Sequence, residues 1–227
     1  MVSHAFERGF GVLEMIRQRW VLLSVTAWAV ACVSVFVLLW SYANVPGAQG
    51  MLPVGWTAAT ELERPDDRAM LLVFAHPKCP CTRATMTAIE RLQREVPSSF
   101  ATRVVFYEPA DADASWRQTD LWARANKLVD AKAIADPGGT MTLDAGAVVS
   151  GCVALFDRDG QLRFWGGITP SRGHEGESVG LGAIRSVLRG QGAEMTSAPV
   201  YGCEIAGACV LSMEVCGERD GDASIDE

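Results

Sequence analysis

Distinct hydrophobic patterns divide the chain. From Trp20 to Trp40 no charged residue interrupts the apolar run. At ~1.5 Å per residue such a helix spans ~30 Å, the thickness of one hydrocarbon core, with a tryptophan at each end as interfacial aromatics stand. Residues 1–19 form a mixed polar lead. Residues 41–68 carry Pro46, Gly47, Gly50, Pro53, Gly55 and Pro65 and read as a linker. At 69–76 a near-continuous apolar run predicts a strand buried on both faces. It stops at His76-Pro77. Met86, Ile89, Leu92 and Val96 then recur at helical spacing up to Pro97. Thr102–Tyr107 predicts a second strand. Trp116, Leu121, Trp122, Ala125 and Leu128 predict an amphipathic helix over 111–128, its tryptophans serving as core or groove packing. A short strand over 129–135, a turn at Asp136-Pro137-Gly138-Gly139 and a short helix to Ala147 follow. Cys152–Phe156 and Gln161–Trp165 flank Asp157-Arg158-Asp159-Gly160, a hairpin signal. After a glycine-rich loop at 166–176, Leu181, Ile184 and Leu188 share a helical face that Gly190 ends. The sum is α/β: strand, helix, strand, then a hairpin, then a helix, over residues 69–190. Residues 191–227 are an extension with an acidic end, its last ten residues solvated and disordered.

Charge sharpens this outline. The 227 residues carry a net charge of −7 with no run of basic residues, which argues against nucleic acid as a partner. Arg17 and Arg19 stand just before the apolar span, and Glu61 and Glu63 lie well beyond it. The positive-inside rule then predicts a single-pass anchor, N-terminus in the cytoplasm and domain outside, periplasmic in a bacterium. The competing reading is a cleaved signal peptide ending near Ser41-Tyr42-Ala43. The length of the span favours a retained anchor.

The chain holds seven cysteines. Cys32 lies in the apolar span as packing. The remainder are Cys79, Cys81, Cys152, Cys203, Cys209 and Cys216, an even set that allows disulfides whose pairing spacing does not reveal. An oxidising compartment favours bridges, and a reducing one favours metal. Cys203, Cys209 and Cys216 read as one local disulfide with one cysteine over, a partner for Cys152; the alternative is a resolving cysteine that reaches a distant site. Cys79-Pro80-Cys81 is the sharpest chemical signal. Pro80 suits the first helical position, which makes Cys79 the N-cap. There its sulfur meets unpaired backbone N–H groups and the positive end of the helix dipole, with Lys78 and Arg83 adding charge. Such surroundings lower a thiol pKa and make a nucleophile or a metal ligand. The plain alternative is a static disulfide or two inert thiols.

A strand, Leu71–Ala75, that runs into a cysteine pair at a helix head resembles the active-site segment of thioredoxin-like proteins. The likeness covers about residues 69–190. It implies a thioredoxin-like mixed sheet flanked by helices, here preceded by one N-terminal transmembrane helix. The insertion between the halves is similar to that of the thiol-specific-antioxidant and resuscitating branch. The spacing Cys-x-Cys departs from the usual Cys-x-x-Cys, with Thr82 in the later position and Lys78 where tryptophan is common. Topology then implies that His76–Cys81, Ser150–Cys152 and Thr169–Glu175 meet. Where the family places a proline before the third strand, this chain has Ser150-Gly151-Cys152.

The resemblance implies a membrane-anchored thiol–disulfide oxidoreductase acting on protein thiols or disulfides without a cofactor. Cys79 attacks and Cys81 resolves, with His76, Lys78, Thr82, Gly151, Cys152 and Arg172 in support. The alternative is a copper chaperone or metal sensor holding Cu(I) on Cys79, Cys81 and His174, similar to the copper-delivery relatives of thioredoxin. A thiol peroxidase lacks its Pro-x-x-x-Thr-x-x-Cys pattern here. A partner module without chemistry completes the set of readings.

Overall fold

A computed structural model describes residues 3–48, 50, 62, 64–191 and 195–205, with side chains from residue 14 onward. Trp56, Cys209, Cys216 and the acidic end lie outside the described residues. The chain divides into two compact units, Met1–Ala43 and Asn44–Glu227. The first is helix α1, Ser3–Asn44, which extends the apolar span in both directions. Its stretch Glu14–Asn44 is long and apolar enough to cross a membrane and buries none of its residues in protein. Ser24, Thr26 and Ser34 each donate their hydroxyl to the carbonyl four residues back, which satisfies these polar groups within the helix itself.

The second unit is built on strand β1, Ala69–Ala75, whose residues from Met70 onward are buried. Helix α2, Pro80–Glu95, follows, and strand β2, Phe100–Glu108, runs parallel to β1 with Val73 opposite Val104. Strand β3, Ala131–Pro137, adds in parallel to β2. After helix α4, Thr140–Asp144, strand β4, Cys152–Phe156, pairs antiparallel to β1 with Val73 opposite Val153. Strand β5, Leu162–Gly167, completes the hairpin, and helix α5, Val179–Leu188, packs back on the sheet. The sheet order is β3-β2-β1-β4-β5-β6, in which β6, Thr196–Ala198, lies parallel to β5.

Strand alternation explains the two cores. Leu71, Val73 and Ala75 face Met86, Ile89 and Leu92 of α2 and Leu181 and Ile184 of α5. Met70, Leu72 and Phe74 face the other way, onto Val149, Cys152, Trp165, Val200 and Ile205. The continuous apolar run of β1 is therefore required: both of its faces are interior. The second face is covered by the chain before β4 and by the segment after β6.

One expectation is corrected. The helix expected over 111–128 is a single 3-10 turn, Ala114–Arg117, followed by α3, Asp120–Ala125. Asp113 caps the first by accepting from the Ser115 N–H, and Thr119 caps the second by accepting from the Trp122 N–H, so two starts occupy the space of one helix. Trp122 packs on Phe106 with ring centroids 5.1 Å apart, whereas Trp116 belongs to the site described next. Of the extension, Thr196–Ala198 joins the sheet as β6.

Candidate active site

The sequence builds the site from the β1–α2 junction upward. Cys79 is the N-cap of α2, with extended backbone at φ −98° and ψ 130°, and Pro80 takes the first helical turn. Cys79 is 4% exposed and Cys81 3%, so both sulfurs sit under the surface. Their protons are unequally held. A hydrogen bond from the Cys81 thiol, with backbone N–H groups of Thr82 and Cys81 and a bond with the Cys203 thiol, outweighs burial and brings Cys79 down to about 4. The Cys81 thiol is pushed up, first by that same bond to Cys79 and then by burial and the neighbouring negative charge. One thiolate and one thiol therefore share the helix head, the arrangement that a nucleophile and its proton-bearing partner need.

Cys203 is the residue the sequence reading did not favour for this place. Its sulfur and those of Cys79 and Cys81 all lie within 4.8 Å of one another. Its backbone is held: the Ser150 N–H donates to the Cys203 carbonyl at 2.8 Å, and Val149 bridges Glu204. An Arg172 Nη1–H donates to the Gly202 carbonyl. A Cβ on Gly202 would fall 1.9 Å from the Ser150 carbonyl oxygen, so only glycine permits this approach. The Cys203 thiol is pushed up by burial and by the charge on Cys79. The reading that bridges Cys203 locally, or to Cys152, gives way to one in which it joins the pair.

The three expected segments do meet. Thr82 Oγ1 donates to the His76 carbonyl at 2.9 Å and lies 2.8 Å from Ser150 Oγ, which accepts from the His76 N–H at 3.0 Å. The Gly173 N–H reaches Cys81, and Thr87 donates to Glu175 at 2.8 Å. Gly151 sits at φ +92°, a left-handed conformation that glycine adopts freely, and its N–H donates to the Phe74 carbonyl.

The supporting residues divide by position. His76 stacks on Tyr107 at 6.1 Å and meets Trp116 edge-on at 5.4 Å, and its Nδ1 accepts from the Lys78 N–H. Burial draws its imidazole below the usual range, against the pull of Cys79. Lys78 places its ammonium 4.3 Å from the centre of the Trp116 ring. Two expected residues stand elsewhere. Cys152 faces the second core, on the side of the sheet away from α2, because it lies opposite Phe74 in the antiparallel register. His174 is exposed and its Nδ1 meets the Arg172 carbonyl at 2.8 Å, so it is absent from the sulfur cluster. Neither Gly202 nor Ser150 was singled out for a role; Tyr201-Gly202-Cys203 is the one sequence signal for that approach.

A cleft of about 400 Å³ opens beside Cys79, lined by Pro77, Lys78, Pro80, Arg83, Thr119 and Leu121. Arg83 pairs with Asp120 at its rim.

No family model matches the chain, and no curated protein does. Solved structures do. A hypothetical protein from Sinorhizobium meliloti aligns over 72% of this chain and 93% of its own, with 20% identity and a TM-score of 0.50. An uncharacterized conserved protein from Geobacillus kaustophilus aligns over 72% of this chain and 90% of its own, with 18% identity and a TM-score of 0.50. An uncharacterized thioredoxin-like protein from Porphyromonas gingivalis aligns over 66% and 92%, with 17% identity and a TM-score of 0.42. Strand order, the β1-α2-β2 unit, the returning hairpin and a cysteine pair at the head of α2 together make the fold thioredoxin-like.

Proposed function

We propose that the protein is a thiol–disulfide oxidoreductase, tethered to a membrane by α1 and facing the outside of the cytoplasm, with Cys79 as nucleophile. The observation that carries this reading is geometric: Cys79 caps the N-terminus of α2, and its sulfur lies within 4.8 Å of that of Cys81. The hydrogen bond from the Cys81 thiol and the backbone N–H groups of the helix head lower the pKa of Cys79 and so favour its thiolate. The Cys79 thiolate attacks one sulfur of a substrate disulfide that enters from the cleft. That S–S bond breaks, a Cys79–substrate bond forms, and the first substrate sulfur leaves. Cys81 then gives up its proton and attacks the Cys79 sulfur. A Cys79–Cys81 disulfide forms, and the second substrate sulfur leaves with the proton. Two electrons have passed from the pair to the substrate. The reverse sequence oxidises a dithiol. Lys78 at the cleft favours an acidic border on the protein substrate, Arg83 being paired with Asp120, while Thr82 and Ser150 hold the turn. Outward orientation is supported by Arg17 and Arg19 before the span and no basic cluster directly after it.

The test is a trapping experiment. Reduced Cys81→Ser protein, treated with a small aromatic disulfide, should stall as a mixed disulfide at Cys79, located by peptide mass spectrometry. Cys79→Ser should form none at the pair. A mixed disulfide that forms equally well without Cys79, or a pair that shows no reversible two-electron couple against glutathione, would remove this reading.

A further inference from the structure

The Cys79, Cys81 and Cys203 sulfurs form a cluster that pairwise thiol exchange does not require. Exchange needs two sulfurs, and the structure brings a third within 4.8 Å of both from the far end of the domain. We propose that these sulfurs form a three-coordinate site for a monovalent copper ion, Cu(I), in the reduced protein.

Geometry supports it first. A cation about 2.3 Å from each of three coplanar sulfurs holds them ~4.0 Å apart, and because no pair is separated by more than 4.8 Å, none needs to close by as much as ~1 Å. The backbone is already set for this. Cys79 and Cys81 share the first turn of α2. Cys203 is fixed by the Ser150 N–H on its carbonyl, by Arg172 on the preceding carbonyl, and by the tight approach of Gly202 to Ser150.

The donor set then chooses the ion. Among the described residues the cluster contains sulfur alone. Neither ring nitrogen of His76 or of His174 belongs to the cluster. Zinc prefers four ligands, whereas soft thiolates in low number select Cu(I). Cys79 and Cys81 are nearly sealed from water, which suits a soft ion without bound water. The sequence expectation of His174 as third ligand is thus replaced by Cys203. No electron moves on binding: Cu(I) stays Cu(I), thiol protons leave to solvent, and sulfur–metal bonds form. The site shares its sulfurs with the exchange chemistry, so metal and disulfide exchange exclude each other.

The experiment uses reduced full chain in detergent, free of oxygen, titrated with Cu(I) against a chromophoric Cu(I) chelator. The expected result is one equivalent bound, with X-ray absorption reporting three sulfur neighbours. Loss of a direct ligand should exceed the 10–100-fold typical of outer partners, so Cys203→Ser should weaken affinity more than ~100-fold. His174→Ala, Cys152→Ser and the double variant Cys209→Ser/Cys216→Ser should bind as the parent does. Circular dichroism and a cooperative urea transition would show Cys203→Ser to be folded. No stoichiometric binding, affinity unchanged in folded Cys203→Ser, or affinity lost in His174→Ala or in the Cys209/Cys216 variant would each overturn the site. Disulfide exchange by metal-free protein separates the outcomes. Exchange without copper binding removes this inference alone, and copper binding without Cys79-dependent exchange removes the proposed function alone.

Discussion

Cys79 and Cys152 are both almost wholly buried, at 4% and 2% exposure, one beyond the end of β1 and the other at the start of the adjacent central strand β4. Their thiols nevertheless move in opposite directions. Cys152 sits in a strand, among Phe74, Val149 and Ala154, and burial pushes it up with only one backbone N–H in opposition. Cys79 sits where a helix begins, so backbone N–H groups lack helical partners and point at its sulfur, and a thiol on Cys81 adds another donor. Burial alone therefore does not quiet a cysteine. What decides is which donors reach the sulfur: at Cys79 the Cys81 thiol first and then the open backbone N–H groups of the helix head, at Cys152 one backbone N–H.

Substitution at the two positions gives the largest expected separation. Cys79→Ser should lower disulfide exchange by on the order of 1000-fold, as loss of a covalent nucleophile does. Cys152→Ser should leave exchange within about twofold and act on stability instead, read from a denaturant midpoint. Equal loss in both would erase the contrast. Next is the donor on Cys81. A hydrogen bond to a charged group is worth ~1.5–3 kcal/mol, so Cys81→Ala should raise the Cys79 midpoint by about one to two pH units, read from thiolate absorbance. An unmoved midpoint would shift the credit wholly to the backbone of α2.

Smaller effects test the supports. Gly151→Ala forces a side chain into a left-handed backbone and puts its Cβ 2.9 Å from Thr85 Oγ1. The expected loss is about 1–3 kcal/mol in urea unfolding, with Cys79 reactivity changed as α2 shifts. Lys78→Ala removes the contact with Trp116 and should cost only ~0.5–1 kcal/mol, seen as a modest fall in midpoint together with altered Trp116 fluorescence.

Much of this was legible in local patterns. The run Leu71–Ala75 signalled a strand buried on both faces, Pro80 marked the helix start, and Asp157–Gly160 marked the hairpin, because each depends on neighbours in sequence. Other features depend on distant partners. The three residues of β6 are too few to show a period, and they are placed by pairing with Phe164, Trp165 and Gly166. Cys203 looked like one of three cysteines in an extension, and only the pairing of its backbone with Ser150 brings it to α2. His174 has the chemistry of a ligand, yet its exposed loop leaves its ring outside the group of three sulfurs. The helix expected over 111–128 failed for a local reason: Asp113 and Thr119 are both capping residues, and each starts its own short turn.

The most direct test of the helix-head argument is the rate of Cys79 alkylation against pH in the reduced, metal-free protein, followed by mass spectrometry at that residue. A pKa lowered from the ordinary 9.0 to about 4 keeps the thiolate populated above that value, so the rate should stay level from about pH 8 to pH 5 and fall as pH drops through about 4. A rate that climbs tenfold per pH unit between 6 and 8, as an ordinary thiol shows, would contradict the account.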